Sequence, residues 1–146
     1  MSVRYLVRHG VMRLIGEFEA PPDTLWRRDQ AVLVRTERGT EAGTILGPAT
    51  EQARQFLVEP TTGHILRGLT PDDQAQVERL RECQGRAYDV GTRYIQQRAL
   101  QMDLVDVEQL FGGERIIFYF LVRPPDKRVD FRELVRDLAR ELQTRI

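Results

Sequence analysis

Hydrophobic and polar residues alternate near the start of the chain in the way that is typical of short β-strands. Two such strands lie within residues 3–18, separated by a turn at His9-Gly10, and a third, apolar and β-branched, covers residues 31–36. A turn at residues 37–40 leads into a hairpin partner at residues 42–46. The pattern predicts a small antiparallel meander that curls into a partial barrel.

A helical period replaces this alternation further along the chain. Residues 48–69 have weak periodicity and are predicted to be a connector. A threonine, a proline and two aspartates at residues 70–73 are typical of a helix start. Apolar side chains then recur every three or four positions from Val77 to Tyr94, so we expect a long helix that ends near Leu100.

Two strands and a last helix are predicted beyond the long helix. Residues 104–111 alternate, and Gly112-Gly113 suits a hairpin turn. Residues 116–122 are apolar on both faces, which favours a central strand that is covered on both sides. The last helix is predicted to begin at Asp130 as N-cap, with Glu133 completing a capping box.

The order of these elements defines an α+β protein in two parts. A small antiparallel β meander or partial barrel forms a β-rich subdomain at residues 1–60. A helix–strand–strand–helix unit forms the domain at residues 61–146. With 146 residues, the chain is long enough to bury a core without a disulfide or a structural metal.

The charges of the chain are balanced, and this limits the kinds of partner it can have. There are 22 Lys and Arg residues against 22 Asp and Glu residues, and each predicted part is neutral by itself. The balance excludes a protein that coats a polyanion with a broadly basic surface. The basic set is 21 arginines and Lys127. A coding bias accounts for that excess, although arginine also suits phosphate recognition.

Cysteine content and hydropathy exclude further classes of protein. Cys83 is the single cysteine, which excludes an internal disulfide framework and a four-cysteine zinc site. Its place on the apolar stripe of the long helix predicts a buried structural thiol. No apolar run approaches the roughly 18 residues of a membrane span, and the N-terminus lacks the apolar centre of a signal peptide. We therefore expect a soluble, cytoplasmic protein.

One short motif suggests an enzyme. Residues 6–10, Leu-Val-Arg-His-Gly, match the strand-then-Arg-His-Gly start of histidine phosphatases, where the histidine accepts the phosphoryl group. The polar loop of those enzymes does not follow, because another strand begins at Val11. His64 is the only other histidine, and it lies in the connector. We therefore predict His9 to be a surface turn residue and keep the phosphatase as a distant alternative.

A basic stripe runs along the predicted last helix. Arg132, Arg136 and Arg140 recur every four residues, with Lys127 and Arg128 in the loop before them. Such a stripe can grip phosphates. An acidic residue lies one position after each of these helical arginines, as is typical of a solvated helix face. The arginines can therefore form either a phosphate-binding stripe or an ordinary solvated helix face.

Long blocks of the chain resemble one protein family. The similarity is to the C-terminal region of the polymerase-suppressor-protein (PSP-one) family, in its bacterial branch of YaaT-like, or RicT-like, stage 0 sporulation proteins. It covers nearly the whole chain. The matching blocks are residues 34–43, 102–108, 116–120 and 129–139, together with Phe111 and the Arg-Ile at residues 145–146.

The resemblance implies a non-catalytic regulator of RNA processing. Bacterial relatives join two small helical partners, RicA and RicF, and act with them on ribonuclease Y. Some eukaryotic relatives bind messenger RNA directly, so a nucleic-acid-binding module is the alternative. Bacterial relatives also continue past the Arg-Ile with a strand and a cysteine-rich segment that carries iron–sulfur clusters. Since this chain lacks that segment, no cofactor is expected on it.

No catalytic or metal-ligating residue is predicted. Capping and packing account for most residues in the matching blocks, and the remainder are our candidates for contact with a protein partner or RNA. They are Glu37, Arg38 and Gly39 at the hairpin tip and Arg128, Arg132 and Arg136 at the last helix.

Overall fold

The computed structural model describes residues 3–113, 115–123 and 129–146. Their contacts divide the chain into two compact units, with the division between Val77 and Glu78. Within the described residues, no helix has the length and apolar character needed to cross a membrane. The elements in chain order are β1 (Arg4–His9), β2 (Leu14–Glu19), β3 (Ala31–Thr36), β4 (Gly39–Pro48), α1 (Glu51–Arg54), β5 (Thr61–Gly68), α2 (Pro71–Gln97), β6 (Met102–Gln109), β7 (Ile116–Val122) and α3 (Arg132–Leu142).

The first unit is a closed five-stranded barrel with the strand order β1-β2-β5-β3-β4. β1 pairs antiparallel with both β2 and β4, which closes the ring. β3 pairs antiparallel with β4 and β5, whereas β2 and β5 run parallel. The predicted α+β class and the N-terminal β meander are confirmed, and the barrel closes completely because a fifth strand is present.

That fifth strand corrects the prediction of a connector at residues 48–69. The segment contains α1 and β5, and β5 lies between β2 and β3 in the barrel. Only Ile65 of β5 is buried, so the strand lacks the apolar alternation that sequence reasoning requires. Because β5 belongs to the barrel, the compact units divide after Val77 and not at the predicted position between residues 60 and 61.

The barrel interior is filled by the inward-facing side chains of its strands. Val7, Phe18, Val32, Val34 and Ile45 are each fully buried. They alternate with outward residues because successive side chains of a strand point to opposite faces. Trp26 packs against this core from the β2–β3 loop and is the single tryptophan of the chain.

The second unit comprises the rest of α2, the β6–β7 hairpin and α3. Leu134 and Leu138 of α3 pack with Ile95 of α2 and Met102 of β6. A bulge at Val105 shifts the β6–β7 register between Leu104 and Asp106. The predicted helix–strand–strand–helix order is therefore present, and both helices contribute to its core.

β7 is not the central strand that its composition predicts. Within the described residues it has one strand partner, β6. One face of β7, which includes Ile116 and Phe118, packs on the helical core. Leu121 on the other face is 64% exposed. The apolar side chains of β7 therefore lie on both faces of the hairpin, one of which is buried and the other partly exposed to solvent.

The start of α3 also differs from the prediction. Phe131 is the N-cap residue and its side chain makes no capping hydrogen bond. Asp130 instead accepts hydrogen bonds from the backbone N–H and the guanidinium of Arg132. Glu133 pairs with Arg98 of α2 at 2.7 Å, so the predicted capping box does not form.

Two glycine-to-alanine substitutions should change stability in opposite directions. A Cβ on Gly63 would lie 2.1 Å from the backbone oxygen of Arg35, so Gly63→Ala should destabilise the barrel by about 1–3 kcal/mol. A Cβ on Gly85 of α2 would meet no atom within 4 Å. Gly85→Ala should therefore stabilise the helix by about 0.5–1 kcal/mol. Urea unfolding followed by Trp26 fluorescence and far-UV circular dichroism measures both, and equal effects would contradict the close packing at Gly63.

Candidate functional site

His9 is a buried residue of the barrel, which corrects its prediction as a surface turn residue. It is the last residue of β1, in phase with the inward-facing Tyr5 and Val7, and its side chain is only 1% exposed. Its Nδ1 lies 2.9 Å from Glu41 Oε1, and its Nε2 lies 2.8 Å from Thr61 Oγ1. Both ring nitrogens are thus engaged by side chains from β4 and β5.

The carboxylate of Glu41 gathers further partners from the β3–β4 turn. The Arg38 guanidinium donates to both carboxylate oxygens, with Nη2 2.5 Å from Oε1 and Nε 3.2 Å from Oε2. The Thr36 hydroxyl donates to Oε2 at 2.5 Å and accepts from the backbone N–H of Arg38. We refer to His9, Thr36, Arg38, Glu41 and Thr61 as the barrel polar cluster.

Electrostatics keep Glu41 ionised inside the barrel. Burial alone raises the pKa of its carboxyl, but hydrogen bonds from His9, Arg38 and Thr36 outweigh that effect and bring the pKa to about 2, below its usual value of 4.5. An ionised carboxylate only accepts hydrogen bonds, so Nδ1 of His9 carries the hydrogen that bonds Glu41. The barrel polar cluster is therefore a satisfied ion pair that ties four strands together.

This geometry gives no support to the phosphatase alternative. A phosphoryl-accepting histidine needs an open ring nitrogen, and both nitrogens of His9 are occupied. His64 is 67% exposed and lies near Glu19, outside the barrel polar cluster. The matched tripeptide at residues 8–10 therefore serves the barrel interior.

The hairpin-tip candidates lie beside a cavity of about 320 Å³ at the barrel polar cluster. Glu37 is exposed at this cavity, and Gly39 has a φ of 137°, which favours glycine. Arg38 is half-buried against Glu41. The predicted functional arginine of the turn is thus a structural partner of a buried carboxylate.

Sequence reasoning missed His9, Glu41 and Thr61 as a group. The sequence does contain one signal, which is the alternation of inward and outward positions along β4. Glu41 shares the inward face of this strand with Gly43 and Ile45. A glutamate at an inward position of an otherwise apolar strand face indicates a buried ion pair. The contribution of Thr61 was hidden because β5 was predicted to be a connector.

The other candidates lie on α3 in the second unit. Arg132 and Arg136 are exposed, and both line a shallow groove with Phe131 and Val135. Asp130 also lines it and binds Arg132, whose hydrogen bonds lower the pKa of Asp130 to about 2. Arg128 lies outside the described residues.

The acidic residues of α3 pair with arginines of α2, and the Glu133 side chain is still 74% exposed to solvent. Arg98 of α2 binds both Glu133 and Asp137, at 2.7 and 2.5 Å. Arg93 of α2 binds Glu141. The carboxylates of α3 therefore lie on the side of the helix that faces α2, and Arg132 and Arg136 lie on the side of the groove.

A further feature that sequence reasoning missed is a set of exposed apolar side chains in the first unit. Phe56 and Val58, in the segment between α1 and β5, are 81% and 89% exposed. Leu25 in the β2–β3 loop is 88% exposed. Two neighbouring apolar side chains at such exposure are typical of a contact surface.

The structure offers no metal centre within its described residues, where no group of three or more potential ligands comes together. Cys83 is only half-buried, which corrects the prediction of a buried thiol, and its Sγ lies 3.2 Å from Nη2 of Arg86.

The fold and these sites describe a two-unit α+β protein with a closed barrel and a helix-covered hairpin. The PSP1 C-terminal conserved region matches residues 63–146, which is more than half of the chain. The protein belongs to this family.

Two curated proteins are similar to the chain in sequence. The chain is 37% identical over 118 residues to the stage 0 sporulation protein YaaT of Bacillus subtilis, covering 81% of this chain and 42% of that protein. It is 34% identical over 82 residues to an uncharacterized protein of Schizosaccharomyces pombe, covering 56% of this chain and 10% of that protein. The chain thus spans less than half the length of these relatives. No solved structure matches it.

Removing the Glu41 carboxylate should weaken the barrel in a pH-dependent way. The pKa of Glu41 is lower in the folded state, so its contribution is present above pH 4.5 and is lost as the pH falls toward about 2. Glu41→Gln should cost about 3 kcal/mol at neutral pH, because it leaves Arg38 and His9 without their ionised partner. The difference from the parent chain should shrink between pH 4.5 and 2 in urea unfolding followed by Trp26 fluorescence. Glu37→Gln, the same change at an exposed neighbour, is the control, and equal effects of the two substitutions would refute the ion-pair role.

Proposed function

We propose that this chain is a non-catalytic scaffold subunit of a cytoplasmic complex that governs RNA processing. It acts by contact with small helical partners of the RicA and RicF kind, and through them on ribonuclease Y. Membership of the PSP1 family and the similarity to the stage 0 sporulation protein YaaT support this proposal.

The observation that carries the proposal is the pairing of arginines with carboxylates in both units. Arg54 binds Glu17, and Arg67 binds Asp73. On α2, Arg93 and Arg98 bind the carboxylates of α3. A guanidinium held in this way must leave its carboxylate before it can neutralise a phosphate. Phosphate-dominated binding needs an excess of free positive charge, so the arginines of this neutral chain favour a structural use over RNA binding.

Exposed apolar side chains support contact with proteins. Phe56 and Val58 offer apolar area beside the barrel, with Glu51 and Arg54 close by in sequence on α1. Large exposed apolar groups of this kind lose contact with water when a partner covers them. Such a surface suits a helical protein that has an apolar stripe.

A pull-down with and without ribonuclease tests the scaffold function. The full chain, tagged and expressed in its native cells, is captured from extract, and the retained proteins and RNA are identified. We expect the same small helical partners and ribonuclease Y to remain after ribonuclease treatment, because protein contacts hold them. Recovery of RNA alone, or loss of every partner with ribonuclease, would refute the proposal.

Direct RNA binding is the second candidate, and the exposure of Arg132 and Arg136 favours it. Arg132→Glu with Arg136→Glu would then abolish RNA retention and flatten its salt dependence by about two charges. Arg81→Glu with Arg86→Glu, an equal change of charge at exposed positions of α2, is the matched control. The scaffold function expects equal and weak RNA retention by both variants in filter binding across a salt series. A selective loss at α3 would establish the RNA-binding role instead.

A further inference from the structure

An apolar cavity of about 260 Å³ lies in the second unit, between the two helices and the β6–β7 hairpin. Its walls are made almost entirely of hydrocarbon and aromatic side chains. They include Leu104, Phe118, Phe120, Phe131, Leu134 and Leu138. Such a lining favours apolar side chains over a solvated or charged ligand.

The cavity continues into the groove on α3. Phe131 and Val135 line both, and Val135 is 39% exposed. Arg132 and Arg136 stand along the same groove. An apolar floor therefore reaches the surface of this unit beside two guanidinium groups.

Arg115 adds a third guanidinium at the cavity, next to the start of β7. Its Nε is buried and has no hydrogen-bond partner among the described residues. A buried N–H without an acceptor is unfavourable, and a bound carboxylate would supply the missing hydrogen bond. This donor is a second, independent sign that the cavity receives an acidic group.

The positions of these groups indicate an elongated occupant. Arg115 is next to Ile116, the first residue of β7. Phe131 packs on Phe120, four residues further along the same strand, with ring centroids 4.6 Å apart. Residues 116 and 120 are about 13 Å apart along a strand, which is the reach of a short peptide segment.

The charges near the groove favour an acidic segment. The α3 carboxylates Glu133, Asp137 and Glu141 are engaged by α2, and Asp130 is engaged by Arg132. No ion pair among the described residues uses Arg136. Among the described residues, the groove therefore carries Arg132 and Arg136 against the single carboxylate of Asp130, which leaves a net positive charge.

We infer that the cavity and the α3 groove together bind a segment of a protein partner in which apolar side chains alternate with acidic ones. The apolar side chains enter the cavity, and the carboxylates meet Arg115 and Arg136, while Arg132 stays paired with Asp130. RNA fits this site less well, because the cavity is lined almost entirely by hydrocarbon and aromatic side chains and offers few polar groups for bases or sugars. This inference rests on the proposed scaffold function and gives it a site and a partner chemistry.

Three fluorescein-labelled peptides of equal length test this specificity on the purified full chain. One alternates leucine with glutamate, one leucine with lysine, and one serine with glutamate. We expect saturable anisotropy changes with the first and about tenfold weaker binding of the other two, because each lacks either the carboxylates or the apolar side chains. Equal binding of the leucine–lysine or the serine–glutamate peptide would overturn the inference.

Substitutions then locate the site. Val135→Glu and Arg136→Glu should each weaken binding of the leucine–glutamate peptide about tenfold, since one places a like charge on the groove floor and the other reverses a guanidinium. Both positions are exposed, and circular dichroism checks that both variants fold. Val11→Glu and Arg81→Glu make the same changes at exposed positions elsewhere and should leave affinity unchanged. Unchanged affinity in Val135→Glu would overturn the assignment.

Two further probes separate the other occupants. Binding of decanoate without binding of the peptide would assign the cavity to a small lipid, and competition by oligouridylate would assign the groove to nucleic acid. Either result overturns the inference. In the pull-down, equal partner retention by Val135→Glu and the parent chain would overturn this site while leaving the scaffold function intact. Loss of all partners from the parent chain would remove the scaffold function itself.

Discussion

The ionised carboxylate of Glu41 is the interaction on which the first unit depends. Placing a charge inside a small barrel is costly unless every lone pair finds a donor. Here His9, Thr36 and Arg38 supply those donors, and Thr61 completes the contacts of His9. Since these side chains come from β1, β3, β5 and the β3–β4 turn, a single carboxylate fixes the register of strands that are far apart in sequence.

Ion pairing also organises the second unit. The carboxylates of α3 turn toward Arg93 and Arg98, so α3 packs on α2 through charge as well as through Leu134 and Leu138. The chain is rich in arginine, and many of these guanidiniums hold the fold together. Arg132 and Arg136 differ from the arginines that hold the helices together, because they lie beside the exposed apolar side chains of the α3 groove.

Much of the fold follows from periodicity, and the exceptions have physical causes. The bounds of β3 and β7 are predicted as they are observed, because each is an apolar run between turns. β5 escapes prediction because backbone pairing with β2 and β3 holds it in the barrel, while only one of its side chains is buried. The capping box fails because Arg98, distant in sequence, competes for Glu133.

The candidate site shows the same limit. The sequence makes Arg38 a candidate for partner contact, whereas in the fold it pairs with Glu41, a contact that a linear pattern does not contain. The proposed binding role of Arg132 and Arg136 depends on an apolar cavity beside them, and residues of α2 and β7 reach that cavity only in the folded unit.

The place of β5 in the barrel has a consequence for dividing the chain into pieces. The family match begins at residue 63, inside this strand. A fragment cut there would leave the preceding residues as an open four-stranded sheet in the order β2-β1-β4-β3. Both outer strands of that sheet would expose unpaired backbone, which is a template for edge-to-edge aggregation. The other piece would begin with a severed strand whose one buried side chain, Ile65, had lost its core.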